Sequence, residues 1–388
     1  MNARRVFTAI AGVAFAAAAA SAQAKTPEPR RPGVDGDRND PKAYYKLGVK
    51  MLDHSPTEAA DAFYWAMRLD PGWADAYYGR WAALHLVRGT KFLITGRTGE
   101  MASLTMSMGD IDSLMTRAVR LDPFLYRKFD QLILERALES MVGTQSAQFV
   151  GGVRSDPYTA GNFPKALHDL AVDLPGYKEK WPIYSERGRI FYMIGGYDSA
   201  GAQLALARDE LEHLNTDKLL PVYLSKATYD RMLGMVAQKQ GKSDAAREAF
   251  GRALAEDLSY APAHISLSDI DFAKGDTVAA LSEMDIAAQL APSDGYLAYE
   301  YGRALLMAGH DAEALEQMTR AVALEPYYAE PHVLMGAIYD RSNYATEALA
   351  AYTAYVTLAN HNDQRVDLVQ ARINKLKATT TAAKPPTP

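Results

Sequence analysis

Small and apolar residues recur along the second half of this chain at one fixed interval. Gly234, Ser268, Gly302 and Gly336 stand 34 residues apart. Ala246, Ala280, Ala314 and Ala348 keep the same step, as do Phe250, Met284, Met318 and Tyr352. Ala253, Ala287 and Ala321 follow, with Tyr355 in the fourth place, and Pro292 and Pro326 close two of the units. The pattern predicts consecutive helix pairs over Ala227–His361. A small residue at a recurring place is what a close helix crossing requires, because a dense interior leaves no room for added volume. Packing accounts equally for the Tyr, Phe and Met positions, which read as core rather than as a cofactor box.

The same positions extend outward from the phased block. Tyr184, Gly188, Phe191, Gly195, Ala200, Leu204 and Ala207 make a further unit from Trp181. A first unit opens at Pro41, with Tyr44, Leu47 and Gly48 on one helix and Ala59, Phe63 and Ala66 on the next. Ser55 reads as an N-cap and Pro56 as the first helical residue. A second unit starts at Ala74, with Trp81 in the small-residue place, and breaks off near Val87. Met115, Ala118 and Leu121 look like its displaced second helix, after an insertion of Arg88–Gly109. A helix is expected over Phe124–Met141, a glycine-rich segment over Val142–Asn162, and a partner helix over Ala166–Leu174. Asn215 or Thr216 is expected to cap the helix that carries Leu219–Gln238. After the last unit, Asp363–Lys377 reads as a capping helix with Val366, Val369, Ile373 and Leu376 inward.

With a small residue, then alanine, a large apolar residue, alanine and proline at this period, the chain resembles the tetratricopeptide repeat (TPR) family. The resemblance implies an all-α fold, a right-handed α-solenoid (a TPR superhelix) of stacked antiparallel helix pairs. Here it would carry an irregular insertion and a C-terminal capping helix. About eight units are expected, two of them interrupted. The expected organisation is a cleaved export signal at 1–24, a disordered linker at 25–40, N-terminal repeat units at 41–87 and an irregular helical insertion at 88–180. The main repeat array follows at 181–362, then the capping helix at 363–377 and a disordered tail at 378–388.

The first residues change the picture of where such a solenoid works. Met1-Asn2-Ala3-Arg4-Arg5, an apolar run from Val6 to Ala20, and Ser21-Ala22-Gln23-Ala24 have the layout of an export signal cleaved after Ala24. Arg4-Arg5-Val6-Phe7 hints at a twin-arginine signal, but Ala3 and Thr8 depart from that pattern, which favours a plain Sec signal. A periplasmic location is therefore expected, with no membrane span after cleavage. The chain has no cysteine, which excludes disulfide staples, a lipid-anchored cysteine and thiolate chemistry. Losing residues 1–24 leaves 40 basic against 47 acidic residues, a balance that argues against nucleic acid as a partner.

The sequence shows no catalytic constellation. The run around Gly151 lacks the Gly-Lys-Ser/Thr ending of a phosphate loop, and no His-Glu-x-x-His or Gly-x-Ser-x-Gly motif occurs. No metal and no cofactor are expected, and the chain reads as non-enzymatic. In the TPR family the first helix of each unit lines the concave face. Resemblance therefore implies a partner-binding groove whose candidate residues are Tyr45, Tyr78, Arg189, Tyr192, Arg231, Phe272, Tyr296, Tyr299 and Arg303. Tyr and Arg are residue types that dominate protein-binding hot spots, so the groove suits a protein or peptide segment. The family's carboxylate-clamp variant is not matched, since Val49, Ala82, Met235, Asp269 and Ala337 stand with Arg189 and Arg303 where it needs asparagine and lysine. The expected function is a protein–protein interaction scaffold or adaptor in the cell envelope. The alternative places function in the insertion, where Trp81, Phe149, Arg154, Tyr158 and Phe163 would close a pocket for a small ligand or cell-wall fragment.

Overall fold

The computed structural model describes residues 28–94, 108–130, 132–133, 135–136, 162–213 and 225–382. Among these the regular elements are α-helices, joined by turns and one short 3-10 segment. In chain order they are α1 (Pro41–Met51), α2 (Pro56–Leu69), α3 (Ala74–Ile94), α4 (Met108–Leu121), α5 (Phe163–Asp173), α6 (Trp181–Met193), α7 (Tyr197–His213) and α8 (Lys226–Lys239). They continue as α9 (Ser243–Glu256), α10 (Ala261–Lys274), α11 (Thr277–Leu290), α12 (Gly295–Met307), α13 (Asp311–Leu324), α14 (Glu330–Arg341), α15 (Ala345–Leu358) and α16 (Gln364–Ala382). None of the described helices is long and apolar enough to cross a membrane.

Adjacent helices pack as pairs: α3 with α4, α6 with α7, α8 with α9, α12 with α13, and α14 with α15. In four of these pairs a glycine of the first helix sets how closely the two helices can approach. A Cβ on Gly188 would lie 2.7 Å from Leu204, and one on Gly302 would lie 3.0 Å from the Met318 side chain. Gly234 meets Phe250 and Gly336 meets Tyr352 in the same way. The large apolar residue of the second helix thus fills the space the glycine leaves, and Ala246, Ala314 and Ala348 are fully buried beside it. The fold is an α-solenoid of helix pairs, as the register predicts.

A second periodic series ends the first helices. Gly241, Gly275, Gly309 and Asn343 all hold positive φ, between 62° and 81°, in the turn between the two helices of a pair. Glycine adopts this left-handed geometry without a Cβ penalty, and asparagine is among the few residues that tolerate it.

The described residues form two compact units. One takes the described parts of Met1–Leu47, Asp61–Gly72 and Asp276–Pro388; the other takes Gly48–Ala60 and Trp73–Gly275. In the first, α16 covers the end of the array: Val366, Val369, Ile373 and Leu376 are buried against Tyr352 and Tyr355. Arg372 holds the helix from outside by donating to both carboxylate oxygens of Asp340 on α14. The helix runs on to Ala382, five residues past its expected end at Lys377.

Four local expectations are corrected. Residues 28–40, expected within a disordered linker, are seated on the first unit by hydrogen bonds from Arg31 and Asn39 and to Glu28 and Asp37. Polar side chains, not apolar area, hold this segment, and its prolines lower the entropy lost on ordering. Phe124–Lys128 is a turn rather than the start of a helix. The Asp122 carboxylate accepts from the Phe124 amide at 2.8 Å, and Pro123 has no amide to donate. The N-cap of α8 is Ser225, whose hydroxyl accepts from the Thr228 amide; Asn215, Thr216 and residues up to 224 lie outside the described residues. Helix α3 also continues to Ile94, beyond the expected break near Val87.

Candidate functional site

In the second unit three of the candidate groove residues, Arg189, Tyr192 and Arg231, converge on the end of α4 and the turn that follows it. Arg231, on α8, donates through Nη1 to the carbonyl of Arg120 at 2.8 Å, in the last turn of α4. A cation at a helix C-terminus is favoured by the unpaired carbonyls and the negative end of the helix dipole. Arg189, on α6, is 3% exposed and reaches the carbonyl of Leu125 at 3.5 Å. Burial pushes its guanidinium below the ordinary range, and the charge of Arg127 adds to that. Tyr192 stacks on Phe124 with ring centroids 3.5 Å apart and planes at 8°. Phe124 itself belongs to the apolar core that contains Leu204, Leu211, Tyr229 and Met232. Residues 120–125 therefore occupy the face that Arg189, Tyr192 and Arg231 present.

Tyr78 is likewise engaged within the chain. Fully buried, it donates to Asp130 at 2.8 Å and accepts from the Phe129 amide at 2.8 Å. Its ring stacks on both Trp81 and Phe129. Burial, with the Asp130 carboxylate beside it, pushes its hydroxyl well above the usual tyrosine range. Phe272 is half-buried.

Periodicity gave no hint of the ionic network next to this face. Asp230, on α8, is 1% exposed and accepts from Arg208 at 3.0 Å and from Arg252 at 3.1 Å. Arg208 also pairs with Glu212 and Glu256, and Lys226 bridges the same two glutamates. Helices α7, α8 and α9 are tied by one buried carboxylate. The signal in the sequence was an aspartate beside the core residues Tyr229 and Met232 of α8, with arginines on both flanking helices.

In the first unit the tyrosine face is covered at one end and open at the other. Tyr296, Tyr299 and Tyr328 form a cluster with ring centroids 5.1 to 6.4 Å apart. The Tyr296 ring lies against Gly72, where an added Cβ would come within 2.5 Å of it. Burial, aided by the charges of Glu330 and Glu300, pushes the Tyr299 hydroxyl up to about 12. One and two turns further along α12, Arg303 and Met307 are exposed; Met307 shows 67% of its surface. Arg303 pairs with Glu300 and reaches the Met307 sulfur at 3.9 Å. Tyr45 packs edge-on against Phe63 at 5.3 Å, half-buried.

Residues 28–40 lie on the same unit. Glu28 accepts from Tyr327 at 2.7 Å and from Tyr64 at 3.2 Å, with Arg68 at 3.7 Å. Trp65 donates its indole N–H to the Pro29 carbonyl at 3.1 Å. The Arg31 guanidinium sits 4.8 Å from the Trp65 ring and donates to the Tyr44 hydroxyl at 2.9 Å. Further along, Asn39 donates to the carbonyl of Thr357 at 2.8 Å, and His361 pairs with Asp37.

The residues proposed for an insertion pocket are not brought together among the described residues. Trp81 packs against Tyr78 and His85, whereas Phe163 meets Tyr126 edge-on at 5.9 Å. Phe149, Arg154 and Tyr158 lie outside the described residues.

Helix pairs closed by a glycine on the first helix and a large residue on the second, repeated at 34 residues, define an α-solenoid built in the tetratricopeptide manner. No protein-family model and no curated protein matches the chain. Among solved structures it is similar to MamA, with 17% identity over 44% of this chain and 92% of that one, and a TM-score of 0.36. It is also similar to the C-terminal part of a TPR repeat-containing protein from Cytophaga hutchinsonii, with 14% identity over 55% of this chain and 96% of that one, and a TM-score of 0.37. A third is YrrB, described as a TPR protein with an unusual peptide-binding site, at 17% identity over 52% of this chain and 97% of that one, and a TM-score of 0.39. Likenesses at this level carry no weight of their own; the fold rests on the packing described above.

Proposed function

We propose that this protein is a non-enzymatic scaffold or adaptor of the cell envelope that binds a protein or peptide segment on the first-helix face of its repeats. The observation that carries the reading is the stripe on α12. Tyr296 and Tyr299 are held in place by Gly72 and Tyr328, while Arg303 and Met307 on the same face stay exposed. Rigid aromatic anchors beside an exposed arginine and a polarizable methionine form a surface suited to a protein partner. The envelope location is supported by the layout of Met1–Ala24 and by the lack of cysteine.

The face is not offered along its whole length. Arg189, Tyr192 and Arg231 are engaged by residues 120–125, so their role in this reading is to position that turn. The test is affinity capture from an envelope extract with the wild type and an Arg303→Ala/Met307→Ala variant. Loss of a partner with an unchanged melting temperature is expected. Recovery of the same partners by both would overturn the assignment of this surface.

A further inference from the structure

We propose that the surface formed by Tyr64, Trp65, Arg68 and Tyr327 is a recognition site for an extended segment of a partner protein that carries a carboxylate, a proline and a cation in that order, kept shut by the chain's own residues 28–31. The inference rests on the scaffold reading and gives a partner a chemistry. The segment already seated there shows what the surface reads.

Three donors converge on one carboxylate. Tyr327 and Tyr64 donate their hydroxyls to different oxygens of Glu28, at 2.7 and 3.2 Å, and Arg68 stands 3.7 Å away. The Arg68 guanidinium is held for that task, since its other end pairs with Glu325 and it lies 5.6 Å over the Tyr327 ring. Next, the Trp65 indole N–H reads the backbone at the Pro29 carbonyl, a group any peptide offers. Two residues on, the Trp65 ring receives the Arg31 guanidinium at 4.8 Å. A carboxylate, a proline and, two residues after it, a cation are thus each met by a different feature of the site. Proline matters because its fixed φ keeps the segment extended at little entropic cost. The partner that fits carries Glu or Asp, then Pro, then Arg or Lys two residues later, in an extended stretch.

The resident segment is polar, partly exposed and retained by contacts that another peptide can replace. Glu28 keeps 39% of its side chain open to solvent. Farther along, Asp37 and Asn39 tether the segment to His361 and to the end of α15, so a displaced Glu28–Arg31 stays nearby and competes. A tethered competitor acts at an effective concentration on the order of millimolar. The intact chain should therefore bind such a partner weakly until the segment is lifted.

The test uses a fluorescent peptide of residues 26–40, titrated by anisotropy into the full chain and into a Glu28→Ala/Arg31→Ala variant. At least tenfold tighter binding by the variant is expected. Adding Tyr64→Phe and Tyr327→Phe to that variant should remove the gain, because the rings stay and only the hydroxyl donors are lost. A peptide with Gln for Glu28 should bind as weakly to the variant as the authentic peptide binds to the wild type. Equal affinity for wild type and variant, or binding indifferent to the two hydroxyls, would overturn the proposal. So would sedimentation showing a wild-type dimer that the Glu28→Ala/Arg31→Ala changes dissociate, since the segment would then belong to a second copy. None of these results touches Arg303 and Met307, so failure here and failure of the scaffold reading are read separately.

Discussion

The ring of Tyr296 lies against the backbone of Gly72, more than two hundred residues earlier in the chain, so closely that a Cβ there would stand 2.5 Å from the ring. The contact anchors one end of the α12 stripe and leaves the other end, at Arg303 and Met307, exposed.

Replacing Gly72 should show what that approach is worth. Gly72→Ala forces the Tyr296 ring away from its place beside Tyr299 and Tyr328, and overpacking of this kind costs about 1–3 kcal/mol. Urea unfolding of the wild type and the variant measures it. An unchanged midpoint would mean that the ring moves freely and that the tyrosine cluster is not a fixed anchor.

Asp230 offers a second test, on the buried network. Asp230→Ala removes the shared acceptor of Arg208 and Arg252. Arg208 keeps Glu212 and Glu256, and Arg252 is half exposed, so neither cation is stranded. The loss should resemble that of charge-assisted hydrogen bonds, about 1.5–3 kcal/mol, rather than that of a buried ion left unpaired. Thermal unfolding reads the change, and a variant as stable as the wild type would remove Asp230 from the account of how α7, α8 and α9 are joined.

The capping helix carries a pH dependence of definite sign. Hydrogen bonds from Arg372 hold the Asp340 carboxyl below its ordinary value of 3.8. A depressed acid contributes stability that is present above that value and is lost as pH falls through the folded one. The protection of α16 amides, taken relative to their intrinsic exchange rates, should therefore fall below pH 3.8 in the wild type, and Asp340→Asn should flatten that dependence. A profile that keeps its slope in the variant would assign the acid response to other carboxylates.

How much of this could be read from the residues alone divides along the kind of contact. Gly302 opposite Met318 and Gly336 opposite Tyr352 repeat a local geometry, so a fixed period exposes them. The left-handed series Gly241, Gly275, Gly309 and Asn343 has the same period and was open to the same reading. Arg231 reaching Arg120, or Glu28 accepting from Tyr327, occurs once each and joins distant parts of the chain. Such pairings leave no periodic trace. For that reason Arg189, Tyr192 and Arg231 read as an open groove, and residues 28–40 read as a linker. Composition added to the second error, because a proline-rich polar stretch carries little apolar surface, and hydrogen bonds rather than burial hold this one.

Photo-crosslinking from α12 tests the central claim most directly. A benzoylphenylalanine placed at Met307 should capture a protein partner from an envelope extract. The same group at Leu368, which is 71% exposed on the capping helix, serves as the control. The account predicts a defined adduct from position 307 and none of that mass from position 368. Equal adducts from both positions, or an adduct only from 368, would contradict it.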